Sequence, residues 1–130
     1  MEFTKSQKEA IEIRDKAVLV GAAAGSGKTA VLTARVISML TDKDDPVDAN
    51  RLLIVTFTKA AASSMREKIV KALDKALLEA PEDSNILRQR DLIRSAKICT
   101  IDSFCQSVIR NGFYLTGADP AAAVAGENEE

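Results

Sequence analysis

Apolar residues in this chain follow two different spacings. In one segment they recur every three residues, at Val31, Ala34, Ile37 and Leu40, which is typical of one face of a helix. The segment Leu52–Phe57 is instead apolar almost throughout, as is typical of a parallel strand covered on both faces. The pattern predicts, in order, a helix from Thr4 to about Arg14, a strand at Ala17–Val20, a helix after the glycine-rich segment, a strand at Leu52–Phe57, a helix from near Lys59 to Leu78, a helix at Asn85–Arg94, a strand at Lys97–Thr100 and a helix at Asp102–Asn111.

The alternation of helices and strands predicts an α/β fold with a parallel sheet flanked by helices. Thr4 and Gln7 have the spacing of a capping box, and Pro81 ends the long helix. We expect the second and third strands to be neighbours buried in the sheet, with their carboxyl ends at the edge where the first strand also ends. The long helix is expected to turn inward the apolar side chains of Ala62, Met65, Ile69, Leu73 and Leu77.

A glycine-rich loop follows the first predicted strand and precedes a helical pattern. It reads Ala22-Ala23-Ala24-Gly25-Ser26-Gly27-Lys28-Thr29. This context is typical of a phosphate-binding loop, in which the glycines let successive N–H groups face one anion. Lys28 would supply charge to the outer phosphates and Thr29 a hydroxyl to Mg²⁺, although Ala22 stands where a first glycine is usual. The alternative is a glycine-rich turn that only packs.

The acidic half of a hydrolytic site is missing from the pattern. ATP hydrolysis at such loops needs an Asp, or an Asp-Glu pair, at the end of a strand to hold Mg²⁺ and to orient water. None of the acidic pairs follows a predicted strand: Asp44-Asp45, Glu82-Asp83 and Glu129-Glu130. The sequence therefore predicts a chain that holds phosphates with incomplete hydrolytic machinery, as a fragment would.

Composition excludes several other classes of protein. The 130 residues are 46% apolar and 28% charged, which suits one small globular domain. With no histidine and two cysteines, the usual zinc and Cys/His sites are excluded, and Cys99 and Cys105 are expected to be buried and reduced. No stretch is long enough to span a membrane and the first residues do not form a signal peptide, so we expect a cytoplasmic protein with no membrane partner.

Charge is unevenly distributed along the chain. The net charge is −1, but residues 117–130 carry Asp119, Glu127, Glu129 and Glu130 and no basic residue. The rest of the chain has a net charge of +3, which by itself is too small to indicate nucleic acid. Residues 117–130 also lack any amphipathic period and are expected to be a disordered or truncated tail. A lysine stripe with interleaved glutamates is expected to be a solvated helix face: Lys68, Lys71 and Lys75.

Four motifs occur in a fixed order along nearly the whole chain. They are Thr4 with Gln7, the loop Ala22–Thr29, the segment Val55–Ala62 and the segment Thr100–Phe104. In this order they resemble the N-terminal motor domain of the UvrD/Rep group of superfamily 1A DNA helicases. Within that group, the stretches Pro46–Asp48, Arg51–Thr58 and Ser103–Cys105 are most similar to the AddA family of helicase–nuclease subunits.

The resemblance implies an incomplete three-layer P-loop NTPase (RecA-like) domain, with residues 1–116 as the N-terminal part of the helicase ATP-binding domain. It implies an ATP-dependent DNA helicase that couples ATP hydrolysis to translocation on single-stranded DNA and to unwinding from a double-stranded end in double-strand break repair. The implied cofactors are ATP and Mg²⁺, and the implied partners are DNA and an AddB-like subunit. Exonuclease activity would reside in the full-length chain, and the isolated fragment would be inactive.

The resemblance also implies roles for individual residues. Gln7 matches the glutamine that reads adenine, and Ala22–Thr29 matches the triphosphate loop, with Lys28 and Thr29 catalytic and Thr29 also a Mg²⁺ ligand. The single-stranded DNA path would be lined by two groups of residues, Thr56, Phe57 and Thr58, then Thr100, Ser103 and Phe104. Asp102 departs from the histidine that many relatives carry.

Several of these residues have a structural alternative. Gln7 and Thr58 both suit a helix cap, and capping is the preferred interpretation of Asp102. Phe104 could stack on a base, but an aromatic side chain in the first turn of a short helix is more often in the core.

The function also has alternatives. A small P-loop nucleotide or phosphoryl-transfer kinase would need an arginine-rich lid, for which Arg88, Arg90 and Arg94 are candidates, although no glycine hinges surround them. The chain could also do nothing beyond folding.

Overall fold

The computed structural model describes residues 2–23, 25, 27–119 and 121. Helices dominate this part of the chain, and two short strands form one sheet. The elements are α1 (Lys5–Glu12), α2 (Lys28–Leu40), a 3₁₀ turn (Ala49–Arg51), β1 (Leu53–Thr56), α3 (Lys59–Glu79), α4 (Ser84–Leu92), β2 (Lys97–Thr100), α5 (Ile101–Asn111) and α6 (Phe113–Thr116).

β1 and β2 are parallel neighbours joined by a crossover through α3 and α4. Their register pairs Leu53 with Lys97 and Thr56 with Thr100, so both strands end at the same level. This confirms the α/β class and the predicted pairing of the second and third strands. Both segments are four residues long, which is shorter than the predicted Leu52–Phe57.

The first predicted strand is wrong for the described residues. Ala17–Val20 forms no strand, and Leu19 is 98% exposed. A short apolar segment becomes a strand only when a neighbouring strand takes its N–H and C=O groups. No described strand lies beside this segment, so its apolar character alone does not produce a third strand.

The sheet is covered on one face, and the prediction of full burial is wrong. Ile54 and Ile98 face the core, whereas Leu53 and Val55 on the other face of β1 are exposed. The core lies between the covered face and the helices, and it comprises Val36, Leu40, Ala49, Ile54, Ala62, Met65, Ile69, Leu73, Ile86, Ile93, Ala96 and Ile98. The described residues thus form two layers, sheet and helices, and the predicted third layer is not among them.

The long helix α3 supplies much of this core. Four of its five predicted inward residues are buried, and Leu77 packs partly buried against the cluster. The helix ends at Glu79, two residues before Pro81, as predicted. Lys68, Lys71 and Lys75 are exposed and make no ion pair within the described part of the chain, which agrees with a solvated face.

A buried polar contact fixes α4 against the chain that leads into β1. Gln89 is fully buried, and its Oε1 accepts the N–H of Ala49 at 2.9 Å. Its Nε2 donates to Asp48 Oδ1 at 3.2 Å and to Asn85 Oδ1 at 3.0 Å. Because each polar atom of this amide has a partner, the group can be buried without a desolvation penalty.

The two cysteines depart from their predicted burial. Cys99 is partly buried and Cys105 is exposed, and neither forms a disulfide. Cys105 lies on α5, whose residues contain none that is buried, so the helix offers no interior position for it. Its apolar character was a poor guide because the helix packs loosely on the sheet.

Candidate nucleotide and DNA site

The glycine-rich loop bends at two left-handed glycines. Gly25 has φ 77° and Gly27 has φ 83°, a region that other residues adopt only with strain. Gly27 directly precedes α2 and leaves its first N–H groups without a side-chain cap. An uncapped helix start of this kind attracts anions, because N–H dipoles converge there. Ala24 and Ser26 lie outside the described residues.

Lys28 folds back over the loop. It is the first residue of α2 and is exposed, and its Nζ donates to the carbonyl oxygens of Ala22 at 2.6 Å and Ala23 at 2.8 Å. The ammonium group is therefore held where it faces both the loop and solvent. A phosphate bound at the loop would find a positive charge already positioned and compensated only by neutral carbonyl dipoles.

Thr29 follows Lys28 and is exposed. Its carbonyl accepts from Thr33 Oγ1 at 2.8 Å, which leaves the Thr29 hydroxyl with no partner among the described residues. The donor set of the loop therefore fits a phosphate with a bound Mg²⁺ ion on one side only, because a single hydroxyl is the one protein oxygen it offers the metal.

Gln7 lies between its own helix and the loop. Its Oε1 accepts the N–H of Thr4 at 2.9 Å, while Thr4 Oγ1 accepts the N–H of Gln7 at 3.4 Å, so the predicted capping box is confirmed. Its Nε2 lies near the loop, 3.5 Å from where a Cβ on Gly27 would stand. A cavity of about 310 Å³ adjoins both, lined by Glu2, Phe3, Thr4, Gln7, Gly25, Gly27 and Ala30. The capping role is thus compatible with a contact to a bound base.

The end of β1 places an aromatic side chain in solvent. Phe57 is 91% exposed, between Thr56 and Thr58. Thr56 Oγ1 donates to the Thr58 carbonyl at 2.9 Å, and Thr58 Oγ1 accepts the N–H of Ala61 at 3.1 Å as the N-cap of α3. The capping alternative for Thr58 is therefore confirmed, and its hydroxyl hydrogen remains available to a ligand.

The end of β2 repeats this arrangement. Thr100 caps α5: its Oγ1 accepts the N–H of Ser103 at 3.2 Å and donates to Ser103 Oγ at 2.9 Å. The prediction that Asp102 is the cap is wrong, because Asp102 lies within the first turn of α5. A carboxylate in that turn still interacts favourably with the helix dipole. Phe104 is partly buried, so it is neither a core residue nor fully presented to solvent.

The loop and the strand ends lie on the same side of the molecule. Thr33 Oγ1 of α2 contacts Met65 Sδ of α3 at 3.3 Å, and these residues are five and seven positions after Lys28 and Thr58. At the other end of the pair, Asn85 Nδ2 donates to the carbonyl of Leu40 at 2.8 Å, close to where α3 gives way to α4. The two helices are therefore parallel. At 1.5 Å per residue, Lys28 and Thr58 lie roughly 8 and 10 Å along their helices from the shared contact.

Acidic residues do not converge on this site. Within residues 2–23, 25, 27–119 and 121, no three His, Cys, Asp or Glu side chains are grouped so as to hold a metal ion. The pair Asp44-Asp45 lies in a turn, where the N–H groups of Asp45 and Asp44 donate to Asp42 Oδ1 at 3.1 and 3.0 Å. These two bonds hold the pKa of the Asp42 carboxyl below its usual range. The acidic turn follows α2, at the end opposite Lys28.

Sequence reasoning passed over three residues beside the strand ends. Lys59, Ser63 and Arg66 lie on the first two turns of α3 and line a cavity together with Thr100 and Ser103. A signal was available in the sequence, because helical spacing puts residues three and four positions apart on one face. Lys59 also directly follows Thr58.

The comparisons with known proteins agree on one family. A family model described as the UvrD/REP helicase N-terminal domain matches residues 3–129. Two relatives, both named as ATP-dependent helicase/nuclease subunits of the AddA type, are 50% identical over 127 residues in Thermoanaerobacter sp. (strain X514) and 52% identical over 130 residues in Desulfitobacterium hafniense. Each alignment covers 98% of this chain, which itself spans only about a tenth of those relatives. Of the helices in the described part, none is long and apolar enough to cross a membrane.

Proposed function

The chain belongs to the UvrD/REP helicase N-terminal domain family, and from this premise we propose that it is the ATP-binding, DNA-contacting part of an AddA-type helicase–nuclease protein. In this proposal the full protein couples ATP hydrolysis to movement along single-stranded DNA and to unwinding from a double-stranded end during break repair. ATP binds with Mg²⁺ at residues 22–29, with Lys28 on the outer phosphates and Thr29 on the metal. A second, AddB-like subunit completes the complex, which acts in the cytoplasm.

The parallel arrangement of α2 and α3 carries this proposal. It puts the phosphate loop at the start of one helix and the DNA-path segment at the start of its neighbour, with the contact between Thr33 and Met65 joining them. Ligands of α/β proteins gather at the carboxyl ends of the strands. A change in the loop that shifts α2 along its axis would be transmitted to Thr58 through one packed interface, as a motor requires.

A larger sheet supports the RecA-like part of the proposal. Leu19 and Val20, in the segment before the loop, are exposed, and so are Leu53 and Val55 on the open face of β1. Exposed aliphatic side chains on a strand and on a strand-like segment are what a parallel sheet leaves when neighbouring layers are removed. We propose that these side chains become buried in a three-layer P-loop domain formed with the remainder of a longer chain.

The competing kinase function is disfavoured by its candidate lid. Arg88 pairs with Asp48 at 2.5 Å, and Arg90 pairs with Asp74. Both ion pairs tie α4 to neighbouring parts of the fold, so these guanidinium groups are engaged rather than poised above a phosphate. A kinase lid needs mobile arginines that close over the transferred phosphoryl group. The arrangement of α4 therefore favours the motor.

The first test of the proposal is ATP turnover by this chain alone. We expect hydrolysis at no more than a trace rate, with or without single-stranded DNA, because no carboxylate among the described residues is positioned to hold Mg²⁺ and to orient water. A coupled phosphate-release assay with Mg²⁺-ATP and an oligothymidine measures this. Steady DNA-stimulated turnover would show that the chain holds a complete hydrolytic site and would contradict the proposed division of labour.

The second test is the exposed aromatic at the end of β1. Phe57→Ala is expected to weaken binding of single-stranded DNA by about 5- to 100-fold, since stacking on an aromatic ring contributes about 1–3 kcal/mol per base. The fold should be unaffected because Phe57 is almost fully exposed. Fluorescence anisotropy with a labelled oligothymidine at low salt gives the affinity.

Tyr114→Ala is the matched control for Phe57→Ala, because Tyr114 is a second aromatic residue that is 72% exposed and lies outside the proposed DNA path. We expect wild-type affinity for this control. Equal losses for both variants, or none for Phe57→Ala, would remove Phe57 from the DNA path.

A further inference from the structure

A groove runs between α3 and α5, with β2 at its floor. Its cavity volume is about 260 Å³, and its polar lining is Lys59, Ser63, Arg66, Thr100 and Ser103. We call it the α3–α5 groove. A second cavity of about 220 Å³ shares Arg66 and Ser103 and continues the groove along β2 as far as Lys97. The opening next to Lys59 adjoins Thr58, at the end of β1.

Positive charge in this groove is uncompensated. The Arg66 guanidinium is partly buried, and it donates to the carbonyls of Ile93 at 2.7 Å and Ala96 at 3.0 Å rather than to a carboxylate. Lys59 is exposed and, within the described part of the chain, makes no ion pair. Of the described residues, none with an acidic side chain lines either cavity. A fixed guanidinium and a mobile ammonium without a counter-charge make the groove attractive to anions.

Two hydroxyl groups complete the donor set. Ser103 Oγ already accepts the hydroxyl hydrogen of Thr100 at 2.9 Å, so its own hydrogen points elsewhere. Ser63, one turn after Lys59, forms no hydrogen bond with the described residues. A tetrahedral phosphate accepts several hydrogen bonds at once, and hydroxyl groups combined with a lysine are common donors to the DNA backbone.

We propose that the α3–α5 groove binds a backbone phosphate of single-stranded DNA. Lys59 supplies the mobile charge, Ser63 and Ser103 donate hydrogen bonds, and Arg66 provides fixed positive potential beneath them. The inference rests on the proposed function, because the groove continues the DNA path from Phe57 and Thr58. That continuity favours a nucleic-acid backbone over an acidic peptide, which would have no reason to reach the exposed ring of Phe57.

The test uses Lys59→Gln in this chain with a labelled oligothymidine. Lys59 is the first residue of α3 and is exposed, so the variant should fold normally. We expect a 3- to 10-fold loss of affinity at low salt, and a slope of log K against log salt smaller by about 0.7, the value for one released counterion on a single strand. Lys59→Arg should retain the wild-type slope.

Lys68→Gln is the matched control, since it removes one exposed positive charge from the same helix outside the groove. Equal effects of Lys59→Gln and Lys68→Gln would overturn the groove proposal, while a loss with Phe57→Ala in the same assay would leave the proposed function standing. Absence of any DNA binding at the lowest salt would contradict both. If polyglutamate bound as tightly as the oligothymidine and depended equally on Lys59, the groove would be a peptide site and the phosphate proposal would fail.

Discussion

Lys28→Ala is expected to abolish detectable nucleotide binding by this chain. The ammonium group is held above the loop by the carbonyls of Ala22 and Ala23, which places its charge where the outer phosphates of a bound nucleotide would lie. A hydrogen bond between charged groups contributes about 1.5–3 kcal/mol, so removing the group lowers affinity by roughly 10- to 150-fold. Isothermal titration calorimetry with Mg²⁺-ATP measures the difference directly.

Two controls separate charge from folding in this experiment. Lys68→Ala removes an exposed lysine on α3, far along the helix from Thr58, and should bind nucleotide like the wild type. Lys28→Ala should also melt close to the wild-type temperature, because the side chain is exposed and its two contacts are local to the loop. Identical ATP binding before and after Lys28→Ala would mean that residues 22–29 are only a turn.

Signals within a few residues predicted the helices well. The capping box of Thr4 and Gln7 formed as expected, and α3 begins after Thr58 and ends before Pro81. Such features depend on contacts between residues three or four positions apart, so the sequence contains all the partners. The positive φ angles at Gly25 and Gly27 belong to the same class, since only glycine adopts them without strain.

Features that depend on distant partners were predicted less well. Ala17–Val20 has the composition of a buried strand, yet it forms none, and Val55 is exposed although its strand is apolar almost throughout. An apolar run specifies that a segment prefers burial, but which strand or helix covers it is a property of the rest of the fold. The pairing of β1 with β2 succeeded because a helical crossover between two apolar segments has few alternatives.

The candidate site shows the same division. The sequence located the phosphate loop and both strand ends, because each follows from a short motif. It did not show that Thr58 and Thr100 both spend a hydroxyl lone pair on capping the next helix. It also missed the α3–α5 groove, because Arg66 and Ser103 meet only through the packing of α3 and α5 against β2.

The contact around Gln89 was equally invisible in the sequence, and it gives the largest expected effect on stability. Gln89 and Ala49 are 40 positions apart, and a glutamine within a polar helix has no feature that indicates burial. Its amide is the acceptor for a buried backbone N–H and the donor to two side chains. It therefore fixes the 3₁₀ turn that leads into β1, and with it the position of the strand whose end carries Phe57.

Gln89→Leu is expected to lower the free energy of unfolding by about 2–3 kcal/mol, because an apolar side chain of similar size leaves the buried N–H of Ala49 without an acceptor. Urea denaturation followed by circular dichroism measures this, with the slope of the transition unchanged if the unfolded chain exposes the same surface. Gln106→Leu is the matched control, since Gln106 is a partly exposed glutamine on α5 with no hydrogen bond to the described residues, and its replacement should change stability by less than about 0.5 kcal/mol. A wild-type midpoint for Gln89→Leu would mean that the 3₁₀ turn finds another acceptor. The position of β1 would then depend on the apolar core alone.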